Sequence, residues 1–190
     1  DSVSEDGFIS ATNRARAFLK VQEGCDYYCS YCIIPFARGK ARSRPFANTL
    51  EEANKLADQG YQEIILTGIN IGTYTQNSDN KDYYLVDLLA ALSEINGIKR
   101  IRVSSIEPNT VTDDLLKFIA KSDVVCPHLH IPLQGANDDQ LMAMNRKYIT
   151  ADYQNLMERF RHYLPEAALG TDIIVGFPGE TESDFKTLCQ

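Results

Sequence analysis

The chain has 190 residues, 44% of them hydrophobic and 24% charged, with a net charge of −7; that is the make-up of a soluble globular protein able to bury one good core. No apolar run reaches the roughly eighteen residues that a membrane-spanning helix needs, and the opening DSVSEDGFIS is too acidic and polar for a signal peptide. Five cysteines, an odd number with three of them crowded together, exclude a secreted disulfide scaffold and point to a metal held in a reducing compartment, the cytoplasm.

In chain order, strand-like and helix-like segments alternate. AFLKV (17–21) reads as a first strand that ends just before the crowded cysteines. TLEEANKLADQG reads as a helix opened by a capping box of Thr49 with Glu52 and stopped at Gly60. EIILTG (63–68) has the apolar run of a buried strand, and LVDLLAALSEING (85–97) is a helix that stops at Gly97. RIRVSS (100–105) is a third strand, followed by a helix through TDDLLKFIAKS. VVCPHLHIPL (124–133) is a fourth strand that Pro127 and Pro132 restrict to its ends or an edge. NDDQLMAMNR and TADYQNLMERFRHYL read as two helices, LGTDIIVGF (169–177) as a fifth strand, and TESDF as a helix start.

Strands separated by helices imply right-handed βαβ units and an α/β fold with a mostly parallel sheet. Chemistry in such folds gathers where strands end. Polar or glycine-rich clusters stand at all five of those places: QEGC, TGIN, SSIEP, PLQG and VGFPGE.

Cys25, Cys29 and Cys32 follow the first strand with three and two residues between them. Zinc favours four ligands in paired halves, and a thioredoxin-like pair from CSYC leaves Cys25 surplus. Cys126 and Cys189 are lone and distant. His128 and His130 alternate with Cys126 along one strand, either as ligands or, more commonly, as packed side chains. A cubane 4Fe–4S cluster with three cysteine ligands and one open iron accounts best for the trio, because open iron lets a small molecule bind and react.

CDYYCSYC resembles the C-x-x-x-C-x-aromatic-C signature of radical S-adenosylmethionine enzymes. The resemblance implies an open, partial (β/α) barrel, a horseshoe with about five of six strands present, over residues 16–190. It also implies that the fourth iron is chelated by S-adenosylmethionine, whose cleavage by a cluster electron releases a 5′-deoxyadenosyl radical. The cofactor-facing residues it implies are Tyr31 beside the cluster, Thr67 and Gly68 at the methionyl amino group, and Ser105 and Glu107 near the ribose. Gln134 and Arg146 follow at ribose and carboxylate, then Asp172 on the fifth strand and backbone near Gly176 at the adenine edge. Each has a plainer reading as a turn, an exposed loop residue or a packed side chain.

The longer strings GCDYYCSYCIIPFARGKARSR, LTGINIGTY, RVSSIEP, HLHIPLQ, MNRKY and DIIVGFPGET resemble the methylthiotransferases. These add a methylthio group at an unactivated C–H bond of isopentenyladenosine or threonylcarbamoyladenosine in tRNA, or of a ribosomal-protein aspartate. PFARGKARSR and LTGINIG, with Gly72 and Tyr74, look most like the threonylcarbamoyladenosine branch. The resemblance then implies as partners a tRNA anticodon loop and a reductant such as a flavodoxin or ferredoxin, with the protein a monomer. It further implies that residues 1–15 lead in from an amino-terminal domain holding a second 4Fe–4S cluster, and that an RNA-binding β-domain follows. The core itself is expected to be truncated, with a sixth strand beyond Gln190.

Charge is uneven along the chain. Residues 10–50 carry seven basic and two acidic side chains, and residues 27–50 contain no acidic residue at all. Arg38, Lys40, Arg42 and Arg44 there suit RNA phosphates or a substrate carboxylate, or else form a solvated or cofactor-supporting face. A non-catalytic zinc-dependent RNA-binding module is the rival from another class. One departure stands out: Gly135-Ala136 replaces the Ser-Gly that the family carries after PLQ.

Overall fold

Alternate residues of the first strand are fully buried and half exposed, and this two-residue rhythm organises the whole sheet. The computed structural model describes residues 16–78 and 80–189; the expected lead-in over 1–15 lies outside the described residues. In chain order, β1 (Arg16–Lys20) and β2 (Gln22–Glu23) precede α1 (Ile34–Arg38), β3 (Arg42–Ser43), α2 (Phe46–Asp58) and β4 (Glu63–Thr67). A hairpin of β5 (Thr75–Ser78) and β6 (Lys81–Tyr84) leads into α3 (Leu85–Ser93), β7 (Arg100–Val103), α4 (Asp113–Lys121) and β8 (His128–His130). Then come α5 (Asp138–Ala143), α6 (Thr150–Tyr163), β9 (Ala168–Gly170) and α7 (Glu182–Leu188).

β1, β4 and β7 form a parallel sheet in that order, with Ala17 opposite Ile64 and Ile64 opposite Ile101. β8 and β9 form a second parallel pair. Parallel bridges Ile101–Val125 and Ser105–His130 carry the order onward from β7 to β8. Four residue steps on one strand face five on the other, and Pro127, which has no N–H to offer a ladder, sits in the longer side. Among the described residues nothing pairs β9 back to β1, so the five strands form an open series of the α/β type expected.

One face of the series is sealed. Ala17, Leu19, Ile64, Leu66, Ile101, Val103, Val125 and Leu129 pack under helices α2, α3, α4 and α6 in a single core. The other face carries the half-exposed Lys20, Thr67, Arg102, His128 and His130. A one-residue slip of any strand would exchange these two sets, which is why the register is firmly specified.

Several sequence expectations need correction. Thr49 with Glu52 is not a capping box: α2 starts at Phe46 behind Pro45, and the buried Thr49 hydroxyl donates back to the Pro45 carbonyl at 2.9 Å. Proline at the helix start supplies a suitable φ and needs no N–H partner. The fourth and fifth strands are shorter than read, because Pro127 and Pro132 bracket β8 and, among the described residues, only Gln134–Ile173 pairs beyond β9. The β5–β6 hairpin was not foreseen: its residues are polar and mostly exposed, so it lacks the apolar alternation by which strands are read. Tyr83 anchors it by stacking on Phe46 with ring centres 4.2 Å apart.

Leu66 is fully buried at the centre of the sealed face. Replacement by alanine is expected to lower unfolding free energy by about 3 kcal/mol, measured by urea denaturation, whereas Thr67→Ala on the open face should change it far less.

Candidate active site

The loop bearing the cysteines is tied to its neighbour by one buried amide. Gln22, 1% exposed, donates through Nε2 to the carbonyls of Glu23 and Gly24 at 3.0 and 2.8 Å. Its Oε1 accepts from the backbone N–H groups of Ile69 and Asn70 at 2.8 and 3.0 Å. The loops after β1 and β4 are thereby held edge to edge. Gly68 is required by this contact, since a Cβ there would lie 2.9 Å from Gln22 Oε1. Gly24, at φ +70°, is required more strictly: its Cβ would meet the Lys40 carbonyl oxygen at 2.0 Å.

All three loop cysteines are free and half-buried. Backbone bonds from Cys25 N–H to Gly39, from Cys32 N–H to Cys29 and from Ser30 N–H to Met144 shape the loop. Asn145, in the left-handed region at φ 57°, reaches across to the Tyr28 carbonyl at 2.8 Å. Burial pushes the Cys25 thiol up, with Cys29 and Cys32 close enough to add to the effect. Yet among the described residues no three His, Cys, Asp or Glu side chains gather tightly enough to hold one ion.

Arg146 lies against this loop although no sequence separation of such length predicts it. It is 8% exposed and forms an ion pair with Glu107. It also donates to Cys29 Sγ and Tyr31 Oη, both at 3.2 Å, and to Tyr148 Oη at 3.2 Å. Burial raises the Glu107 carboxyl above the ordinary range although Arg146 opposes it. Burial works against the Arg146 charge too, but Glu107 and the surrounding hydroxyls hold it firmly protonated. Burial likewise pushes Tyr148 up to about 12. Three free thiols beside a buried guanidinium and a buried carboxylate fit a thiolate-bound cluster with a polar organic ligand.

The remaining expected residues distribute as follows. Thr67 ends β4, and its carbonyl accepts from Val21 N–H at 2.9 Å. Gln134 sits at φ 65°, donating to the Asp172 carbonyl and accepting from Ile174 N–H. Asp172 is not on the fifth strand but in the exposed segment past β9, where its carboxylate faces His130 Nε2 at 3.3 Å. The backbone N–H of Gly176 donates to the Glu180 carboxylate. At Gly135 a Cβ would meet Gln140 Oε1 at 2.7 Å, so the departure from Ser-Gly matches the buried Gln140 that packs there.

Three of the four basic residues of the 27–50 segment, Arg38, Arg42 and Arg44, face acidic partners. Glu23, unremarked in the sequence reading, gathers Lys20, Arg38 and Arg42 at 3.0, 2.7 and 3.7 Å. Arg44 is corrected from a surface contact: it is 3% exposed, bonded to Asn48 at 2.7 Å and facing Glu52. Lys40 stays exposed, and Arg38 keeps half its side chain in solvent. Asn70, 2% exposed, is a further residue the sequence reading passed over; its Oδ1 takes the Glu107 N–H at 3.4 Å. The signal for both was position alone, a polar residue within two places of a strand end.

Two outcomes follow from these pairings. Arg146→Ala strands Glu107 and should cost about 3 kcal/mol in urea denaturation, and Arg146→Lys should not recover it, since one ammonium cannot serve four partners. Arg38 and Lys20 hold the Glu23 carboxyl below the ordinary range; its contribution is therefore complete above that range and lost as pH falls through the lowered value. Glu23→Gln should flatten the acid side of a stability-against-pH profile.

Known proteins resemble the chain along nearly its whole length. The family model described as the radical SAM superfamily matches residues 19–190. The threonylcarbamoyladenosine tRNA methylthiotransferase MtaB of Bacillus subtilis (strain 168) is 45% identical over 92% of this chain. The tRNA-2-methylthio-N(6)-dimethylallyladenosine synthase of Clostridium botulinum (strain Loch Maree / Type A3) is 40% identical over 98%. The chain spans only 38% and 41% of those two relatives. Among solved structures, the radical S-adenosylmethionine methyltransferase TsrM from Kitasatospora setae, with cobalamin and a [4Fe-4S] cluster bound, superposes with a TM-score of 0.69 at 19% identity, covering 88% of this chain and 32% of TsrM. By its cysteine loop, its open parallel sheet and the match along nearly its whole length, the chain belongs to the radical SAM superfamily, whose cofactors are a 4Fe–4S cluster and S-adenosylmethionine.

Proposed function

We propose that this chain is the radical core of a tRNA methylthiotransferase that modifies C2 of N6-threonylcarbamoyladenosine beside the anticodon. The observation that carries the reading is identity of 45% and 44% to two relatives named for that activity, spread over nine tenths of the chain. Relatives named for the dimethylallyladenosine reaction follow at 39–43%, so the base acted on is the finer part of the proposal. A threonylcarbamoyl group adds a carboxylate, and the exposed Arg38 and Lys40 beside the cysteine loop offer it a cation. The same pair suits the phosphates of an anticodon loop.

Cys25, Cys29 and Cys32 would hold the cluster. Bound S-adenosylmethionine supplies, on one-electron reduction, a radical able to take hydrogen from an unactivated carbon. The chain's own residues provide the setting. Gln22 fixes the cysteine loop against the Gly68–Asn70 turn, Arg146 places a permanent positive charge at Cys29, and Glu107 offers a carboxylate held in place by that charge. Asn70 ties the Glu107 backbone to the β4 loop. The electron would come from a small reductant such as a flavodoxin or ferredoxin, acting on a monomer, with further domains completing the enzyme.

Anaerobic reconstitution should yield about four irons and four sulfides per radical site, lost in Cys25→Ala; one zinc without sulfide would instead mark a non-catalytic RNA-binding module. Mass spectrometry of tRNA nucleosides from cells lacking the full-length gene should show loss of the methylthio group on threonylcarbamoyladenosine. Persistence of that product with loss of the isopentenyl counterpart, or of a ribosomal-protein modification, would move the protein to another branch.

A further inference from the structure

Side chains at three consecutive strand ends lie in line, the first two joined by a hydrogen bond and the last two by an ion-pair contact, and the reaction outlined above leaves the middle one without a role. Ser105 Oγ, just past β7, lies 2.8 Å from His130 Nδ1 on β8. His130 Nε2 lies 3.3 Å from Asp172 Oδ1, past β9. The backbone holds all three in place: Ile106 N–H donates to the His130 carbonyl at 3.0 Å, and Ile131 N–H to that of Gly170 at 2.8 Å. The ring itself rests on Gly170, where a Cβ would meet His130 Cδ2 at 2.9 Å.

The partners dictate the proton positions. The Asp172 charge, 3.3 Å from Nε2, favours the hydrogen of a neutral imidazole on that nitrogen, which leaves Nδ1 as an acceptor. The Ser105 hydroxyl must then give its hydrogen to His130 and turn its lone pairs away from the ring. Among the described residues His130 is the one side-chain partner of Ser105 Oγ. Glu107 follows Ser105 by two positions on the same loop.

We infer that His130 is a positioning residue that fixes the Ser105 hydroxyl as a hydrogen-bond acceptor for S-adenosylmethionine, with Asp172 setting the tautomer of the ring. Ser105 and Glu107 together then face the ligand's O–H and N–H groups with oxygen acceptors. The histidine serves no metal and exchanges no proton with substrate; it chooses which way a hydroxyl points. This inference rests on the S-adenosylmethionine part of the reading and not on the RNA substrate.

The test uses full-length, cluster-reconstituted protein without RNA, and titrates S-adenosylmethionine by anaerobic calorimetry. His130→Asn keeps an acceptor near the place of Nδ1, whereas His130→Gln moves the amide toward the place of Nε2. Affinity should fall about fivefold in His130→Gln, the worth of one net hydrogen bond, and stay near wild type in His130→Asn. Nitrogen-15 spectra of histidine-labelled wild-type protein should show the Nε2–H tautomer, with the His130→Asn spectrum identifying the signal. Unchanged affinity in His130→Gln, equal loss in both variants, or an Nδ1–H tautomer would each overturn the inference. Should neither variant take up iron and sulfide, the wild-type tautomer, assigned through its coupling to Ser105, decides alone.

Discussion

The site depends first on the buried amide of Gln22. The backbone of the loop carrying the three thiols must be matched to that of the β4 loop, and backbone loops in different chain segments rarely match. Gln22 provides the match with two acceptor contacts and two donor contacts from one side chain. Being fully buried, it has no water to fall back on, and each bond it lost would leave an unpaired polar group. Gly24 and Gly68 are glycines because the two loops approach this closely.

Charge follows a similar economy. The basic run that reads as an open face in the sequence is mostly consumed internally: Glu23 holds three cations and Glu52 faces Arg44. Meanwhile Arg146, more than a hundred positions from the cysteines, supplies the cation that touches Cys29. A buried guanidinium keeps its charge where a lysine would tend to lose it, and its planar fork serves several partners at once. The buried positive charge at the cysteines is thus that of Arg146, while Lys40 and the solvent-facing half of Arg38 stay open to anions from outside.

Much of the fold was legible because burial alternates with a period of two on one sealed face. The first three core strands and the helices after them lie within a few residues of their expected places. Misreadings arose where local signals competed. Thr49 and Glu52 have capping-box spacing, yet Pro45 starts the helix earlier. The apolar string IIV at 173–175 looks like a buried strand, yet Ile173 and Val175 are about half exposed, since only one bridge joins that segment to its neighbour. The hairpin over 75–84 gave no apolar pattern to read.

The sequence by itself determined the superfamily, the three thiols and the order of the loops, because cysteine spacing and hydrophobic period are local properties. Only the tertiary structure decided which polar side chains meet. Gln22 with Asn70, and Ser105 with His130 and Asp172, are brought together by parallel strands whose ends lie side by side while their positions in the chain are dozens of residues apart, and Glu107 meets Arg146 from the turn between α5 and α6. Pairing across a parallel sheet leaves no spacing rule in the sequence, so burial and hydrogen-bond satisfaction in the folded chain had to make that choice.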